Sequence, residues 1–207
     1  MKQLVTRQFF ASVALIGMLT VAAQSVWAAN VADAEAIVKK TTDQMLAALK
    51  NNPGNVYDLV EQIILPNFNF QKMSRMVVLK RSWKTATDDQ KNRFDNAFRE
   101  LLVRTYSTAL VEAAGNLSRI DYDTQRRSSK KAIVYTKVYR TDQATPIKAD
   151  YAMRYSRKNG KWEAYNVTIG GVSLVTNYRN EFAGYLRSGG MDYLIQMVEQ
   201  KKEQAGQ

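Results

Sequence analysis

The side chains in this chain that could hold or move a proton are carboxylates, lysines and tyrosines, because its 207 residues include neither histidine nor cysteine. A His-based triad, a His general base and a Cys/His metal site are therefore excluded by composition. Acid–base chemistry would need a carboxylate held inside a pocket. The two aspartates of the strand-rich half that could serve, Asp142 and Asp150, alternate outward in the strand phasing. The other reactive feature is positive charge. Between Arg119 and Lys161 there are 12 basic and 4 acidic side chains. Lys130, Lys131, Arg154 and Lys158 sit at strand ends or on the polar strand face, where they could steer the protein to anionic headgroups or acidic partner surfaces. A solvated basic face that serves solubility is the plain alternative.

The elements that must position these residues follow from periodicity. Ala36, Ile37, Met45, Leu46 and Leu49 have helical spacing between Ala32 and Lys50, and Asn51-Asn52-Pro53-Gly54 stops that helix. A shorter helix is expected from Val56 to Leu65, broken by Pro66. Asn67 to Val78 then carries Phe68, Phe70, Met73, Met76 and Val77 in helical order. Thr87-Asp88-Asp89-Gln90 is a capping box that opens the longest helix, about 27 residues or ~40 Å. Its broad apolar face holds Phe94, Phe98, Leu101, Leu102, Tyr106, Ala109, Leu110 and Ala113.

After Gly115 the period changes from 3.6 to 2. Strands are expected at Leu117 to Gln125, Ala132 to Arg140, Ile147 to Tyr155 and Trp162 to Ile169. Asn159-Gly160 is a preferred hairpin turn, so the strands form an antiparallel meander. Ile147, Ala149, Tyr151, Met153 and Tyr155 share one face, and Lys148, Asp150 and Arg154 share the other. A sheet with one apolar face needs helices laid across it, which gives an α+β layer. Gly170-Gly171 then turns the chain, Ser173 caps a helix through Leu174, Tyr178, Phe182 and Tyr185, and Gly189-Gly190 ends that helix before a last amphipathic stretch.

Lys2 and Arg7, the apolar run Phe9 to Ala23 and Val26-Trp27-Ala28 read as a secretory signal cleaved after residue 28. The run of about 15 residues is short of the roughly 20 needed to span a bilayer, so a retained anchor is the weaker reading. Residues 29–207 are expected to form one domain, helical over 32–115, sheet over 117–169 and helical again over 173–203. Without Lys2 and Arg7 the chain keeps 28 basic and 19 acidic residues, +9. Export to a Gram-negative periplasm removes nucleic acid as the natural partner of that charge. The missing cysteines exclude disulfides and a cysteine-anchored lipoprotein.

Gly170-Gly171-Val172-Ser173-Leu174 followed by Asn177-Tyr178-Arg179-Asn180-Glu181-Phe182 resembles the toluene-tolerance, or MlaC-type, family of periplasmic phospholipid-binding proteins. Ile64-Leu65-Pro66 leading into Leu79 and Trp83, and the helix with Gln90, Phe94, Phe98 and Tyr106, agree with it, so the resemblance covers the chain from one end to the other after the signal. Two positions depart from the family pattern: Lys80 where glycine often follows leucine, and Asn166 where aspartate is usual.

The resemblance implies an NTF2-like core with added helices: a curved antiparallel sheet of about four strands against several helices, holding acyl tails between them. It implies a monomeric periplasmic carrier of glycerophospholipid, without catalytic residues or cofactor. Its partners would be an inner-membrane ABC transporter with an MCE-domain protein and an outer-membrane lipoprotein–porin complex. The tail pocket is assigned to Leu79, Trp83, Phe98, Leu102 and Tyr106 of the helical half and to Val134, Val138, Tyr151, Met153, Tyr165, Val167 and Ile169 of the sheet. Val172, Leu174, Val175 and Tyr178 would form its corner. Hiding about thirty methylenes at ~0.8 kcal/mol each is worth on the order of 25 kcal/mol, which only an enclosed pocket can supply. The same architecture can house an enzyme with a carboxylate inside its cavity, and a ligand-free interaction module is a third reading.

Overall fold

The computed structural model describes residues 29–205. The signal segment expected over residues 1–28 lies outside them. Helix α1 (Val31–Asn51) is capped by Asn30, whose side chain accepts from the Ala32 amide, and ends at Asn52. The expected second helix is three short pieces: α2 (Val56–Leu59), a π-helical turn (Val60–Ile64) and a 3-10 turn (Leu65–Asn67) over Pro66. Pro66 cannot donate a backbone hydrogen bond and its ring crowds the carbonyl four residues earlier, which accounts for the change of winding. Helix α3 (Phe70–Val77) begins later than the periodicity suggests, because Asn69 is its cap and accepts from the Lys72 amide. Helix α4 (Lys80–Thr85) has too few residues to show a period and was not expected.

Helix α5 (Asp88–Gly115) starts at the capping box: Gln90 N–H donates to Thr87 Oγ1 at 3.1 Å and Thr87 N–H donates to Gln90 Oε1 at 3.0 Å. Four long strands follow as an antiparallel meander: β1 (Leu117–Ser128), β2 (Lys131–Arg140), β3 (Ile147–Ser156) and β4 (Lys161–Ile169). A fifth strand of two residues, β5 (Val172–Ser173), pairs with the end of β4. Gly170 and Gly171 make that turn at φ +58° and +88°, a region that side chains other than glycine rarely enter.

Helix α6 (Leu174–Gln204) runs to the end of the described chain with a kink at Gly189-Gly190. Gly190 sits at φ +71°, and a Cβ on Gly189 would lie 2.5 Å from Tyr193 Cβ, so both positions require glycine. The start of α6 is held by two caps. Ser173 Oγ accepts from the Thr176 amide, and Asn166 Oδ1, from the middle of β4, accepts from the Val175 amide at 3.0 Å while its amide donates to Ser173 Oγ. The amide group of Asn166 thus supplies the donor that ties strand to cap.

Three apolar clusters form the interior. The largest joins α3, α5 and α6 around Phe94, Phe98, Tyr178 and Phe182, whose rings meet at 5.1–5.8 Å between centroids. A second lies under α1, where Ala34 and Val38 meet Ala132, Val134, Met153 and the fully buried Trp162 on the inner sheet face. The Trp162 indole N–H donates to the Asn30 carbonyl at 2.8 Å. The third joins α1 and the Val56–Ile64 segment to Val103 of α5. Among the described residues no helix is long and apolar enough to cross a membrane.

Candidate functional site

The three clusters leave apolar space between them, bounded by the inner sheet face, α1, the Val60–Met73 segment and the C-terminal half of α5. One cavity of about 320 Å³ is lined by Phe70, Met73, Leu102, Tyr106, Ala109, Ala149, Val167, Ile169 and Leu174 among others. A neighbouring one of about 150 Å³ reaches under α1 to Ile37, Met45, Leu46, Leu49, Ile120 and Tyr122. Ile64, Phe68, Leu110, Ala113, Val138 and Tyr151 line both, so the two spaces share one wall. The larger alone reaches the range of roughly 300–1,000 Å³ usual for small-molecule sites.

Neither lining contains a lysine, arginine, aspartate or glutamate. The polar atoms that do face inward are largely spent on protein partners. Thr136 Oγ1 donates to the Ala149 carbonyl at 2.6 Å, Ser107 Oγ to the Val103 carbonyl, and Asn67 Nδ2 to Thr41 Oγ1 at 2.9 Å. The space is thus chemically suited to hydrocarbon and poor in groups that could bind or activate a polar molecule. Asp150 lies on the opposite sheet face, next to Lys148, and lines neither cavity. Among the described residues no cluster of carboxylates could hold a metal ion.

Tyr151 is the polar exception. Protein surrounds its ring, yet it keeps accessible surface because that surface faces the cavity and not solvent. Burial, with a smaller push from Tyr122, raises its hydroxyl from 10 to about 12. The neutral phenol is favoured in the folded state, so above pH 10 the unfolded chain loses its proton first and stability falls as pH rises towards 12. The loss is on the order of 3 kcal/mol. Urea midpoints measured below pH 10 and towards pH 12 should drop more steeply for the native chain than for Tyr151→Phe.

The residues assigned to the pocket from sequence separate into groups. Leu102, Tyr106, Val138, Tyr151, Met153, Val167, Ile169 and Leu174 line the cavities. Phe98, Val175 and Tyr178 do not, because they face the α5–α6 contact and are filled in by Phe94 and Phe182. Val134 lies in the packed cluster beneath α1. Val172 is 57 % exposed on the outer side of the β4–β5 turn. Tyr165 is displaced by a bulge: Ala152 pairs with Asn166 and Met153 with Ala164, which leaves Tyr165 as the extra residue. The bulge moves Ala164 and Trp162 onto the inner face and sends the Tyr165 ring outside, beneath the Lys72 ammonium at 4.9 Å. Leu79 and Trp83 line a third, surface groove together with Lys130, Arg154 and Lys158. Lys131 does not line that groove.

Much of the lining lies outside that assignment. Ile37, Met45, Leu46 and Leu49 have the helical spacing of an apolar face, but spacing does not say which partner a face meets. Ile64 and Phe68 come from the segment around Pro66, which folds as a π-helical and a 3-10 turn and not as the regular helices its spacing suggests. Ala109, Leu110 and Ala113 belong to the apolar face of α5, beyond the turn where it leaves α6.

Comparison with known proteins places this geometry among characterised chains. A family model described as MlaC protein matches residues 36–200. The toluene tolerance protein ttg2D of Pseudomonas putida is 26 % identical over 201 residues, covering 93 % of this chain and 87 % of that protein. The intermembrane phospholipid transport system binding protein MlaC of Haemophilus influenzae is 23 % identical over 156 residues, 75 % of this chain and 72 % of that one. Among solved structures, a phospholipid-binding protein of Ralstonia solanacearum in complex with a phospholipid superposes with a TM-score of 0.76. It is 30 % identical and covers 84 % of this chain and 99 % of its own.

Proposed function

The chain belongs to the MlaC protein family, and on that premise we propose that it is a phospholipid carrier whose cargo tails occupy the paired cavities. The observation that carries this reading is the charge-free apolar lining shared by the two spaces, in a fold that a phospholipid complex of a relative also adopts. The most accessible lining residues, Ala109 and Ile169, put the opening between the C-terminal half of α5 and the end of β4. A headgroup would remain there, near water, while the tails run inward past Leu110, Val138 and Tyr151.

The carrier would work in the periplasm as a monomer, after removal of residues 1–28. It would shuttle glycerophospholipid between an outer-membrane lipoprotein–porin complex and an inner-membrane ABC transporter with an MCE-domain protein. No catalytic group or cofactor is needed. Tails pass from one apolar environment to another, so the net free energy of loading is small and transfer is reversible. The test is transfer of a fluorescent phospholipid from donor to acceptor vesicles. The rate should rise with protein concentration, and a rate that does not respond to the protein would refute the reading.

A further inference from the structure

The groove that takes in Leu79 and Trp83 is separate from the cavities and shares no residue with them. It measures about 1010 Å³. One wall carries Lys72 and Arg75 of α3 and Lys80 and Lys84 of α4. The other carries Lys130 and Arg154, Arg157 and Lys158 from the sheet, and Arg179 of α6 completes it. Against these nine cations stands one carboxylate, Glu163, which is 4 % exposed. Its oxygens are taken by the amides of Asn69, at 2.7 Å, and Asn159. Among the described residues none of the nine makes an ion pair; the ion pairs lie elsewhere. The concentration of charge is felt inside the groove. Lys72 is pulled below its ordinary value by burial and then by Arg154, Lys131 and Arg75. Arg179 Nε donates to the Met76 carbonyl at 2.6 Å and Lys72 lies over the Tyr165 ring, but no carboxylate neutralises any of the nine, and together they focus a positive field in one concavity that favours an anion.

With the cavity opening beside Ala109 and Ile169, that anion is not the phosphate of the carried lipid. Along β3, Ala149, which pairs with Ile169 at the cavity opening, lies five residues from Arg154, ~17 Å of strand. Helix α3 stands between the two sites, with Phe70 and Met73 turned to the cavity and Lys72 and Arg75 to the groove. The apolar residues among the cations narrow the choice of ligand. Leu79 is 40 % exposed, and Trp83 is rooted edge-on against Phe94 while it lines the groove between Lys80 and Lys84. Cations alternating with an exposed leucine and a tryptophan match the boundary between phosphate headgroups and acyl chains. A free anion would use the charges and leave Leu79 without a partner, whereas the headgroup–acyl boundary of a membrane supplies both.

We propose that this groove is a membrane-docking surface, which takes the phosphates of anionic phospholipid between its two basic walls and sets Leu79 and Trp83 at the acyl boundary. The inference rests on the proposed function only in setting the carried lipid's phosphate aside, and vesicle capture is read separately from lipid uptake, so either can fail without the other. Co-sedimentation at low salt with phosphatidylglycerol vesicles should capture the protein, and phosphatidylcholine vesicles should not. Lys80→Glu/Lys84→Glu, two exposed positions, should weaken capture at least about thirtyfold, from roughly fivefold for each lost cation. Lys137→Glu/Lys148→Glu, the same charge change on the exposed outer sheet face, should leave most of it. Equal weakening by both pairs would reduce the effect to net charge and overturn the proposal. So would unchanged capture of the Lys80→Glu/Lys84→Glu protein, or binding to polyglutamate but to no vesicle.

Discussion

Ala113→Trp should yield a folded protein that no longer carries phospholipid. Ala113 lines both cavities near the end of α5, so an indole at this position extends into the space between them. The ring would take the room of about four methylenes. At ~0.8 kcal/mol for each, binding should weaken by about 3 kcal/mol, or about two hundredfold. The folded state should be nearly unaffected, because Trp costs the helix only about half a kcal/mol relative to Ala. Vesicle uptake and thermal melting measured on one preparation separate the two effects. Retained uptake with an unchanged melting temperature would mean that the tails do not use this space.

Phe182→Ala should do the reverse. Phe182 is fully buried at the centre of the α5–α6 contact, where its ring meets those of Phe94, Phe98, Tyr178 and Tyr185. It lines neither cavity. Truncation in such a cluster costs ~3–5 kcal/mol, because the transfer energy and the cavity left behind add. For a domain of this size that lowers the melting temperature by about 6–20 °C. The fraction that remains folded at low temperature should take up lipid as the native chain does. A small melting shift would mean that the helices repack around the gap.

These two positions also mark what the sequence could and could not reveal. The apolar face of α5 is a single broad stripe in the sequence, from Phe94 to Ala113. In three dimensions it divides: Phe94, Phe98 and Leu101 meet α6, while Tyr106, Ala109, Leu110 and Ala113 meet the cavity. Periodicity names a buried face, but the docking of a second helix decides which part of it is core and which is lining. The same holds for Val175 and Tyr178 on α6, which fill the contact that Phe98 opens.

Local signals fared better. The capping box at Thr87, the hairpin at Asn159-Gly160 and the glycine corner at Gly170-Gly171 each act through backbone geometry within a few residues, and each is found where the sequence puts it. Tyr165 shows the limit of the period-two argument. A single bulged residue reverses the facing of everything on one side of it, and nothing in the pattern W-E-A-Y-N-V-T-I marks where it falls. Leu79, Trp83 and the basic residues near them are scattered in sequence from Lys72 to Arg179. Their convergence on one groove is a property of the fold.

The central claim is that the charge-free cavities hold phospholipid tails, and the most direct test is denaturing mass spectrometry of the solvent extract of the purified protein. The extract of the native chain should contain glycerophospholipid in amounts comparable to the protein, and that of Ala113→Trp should have lost it. Absence of phospholipid from the native extract, together with no uptake from labelled vesicles, would contradict it.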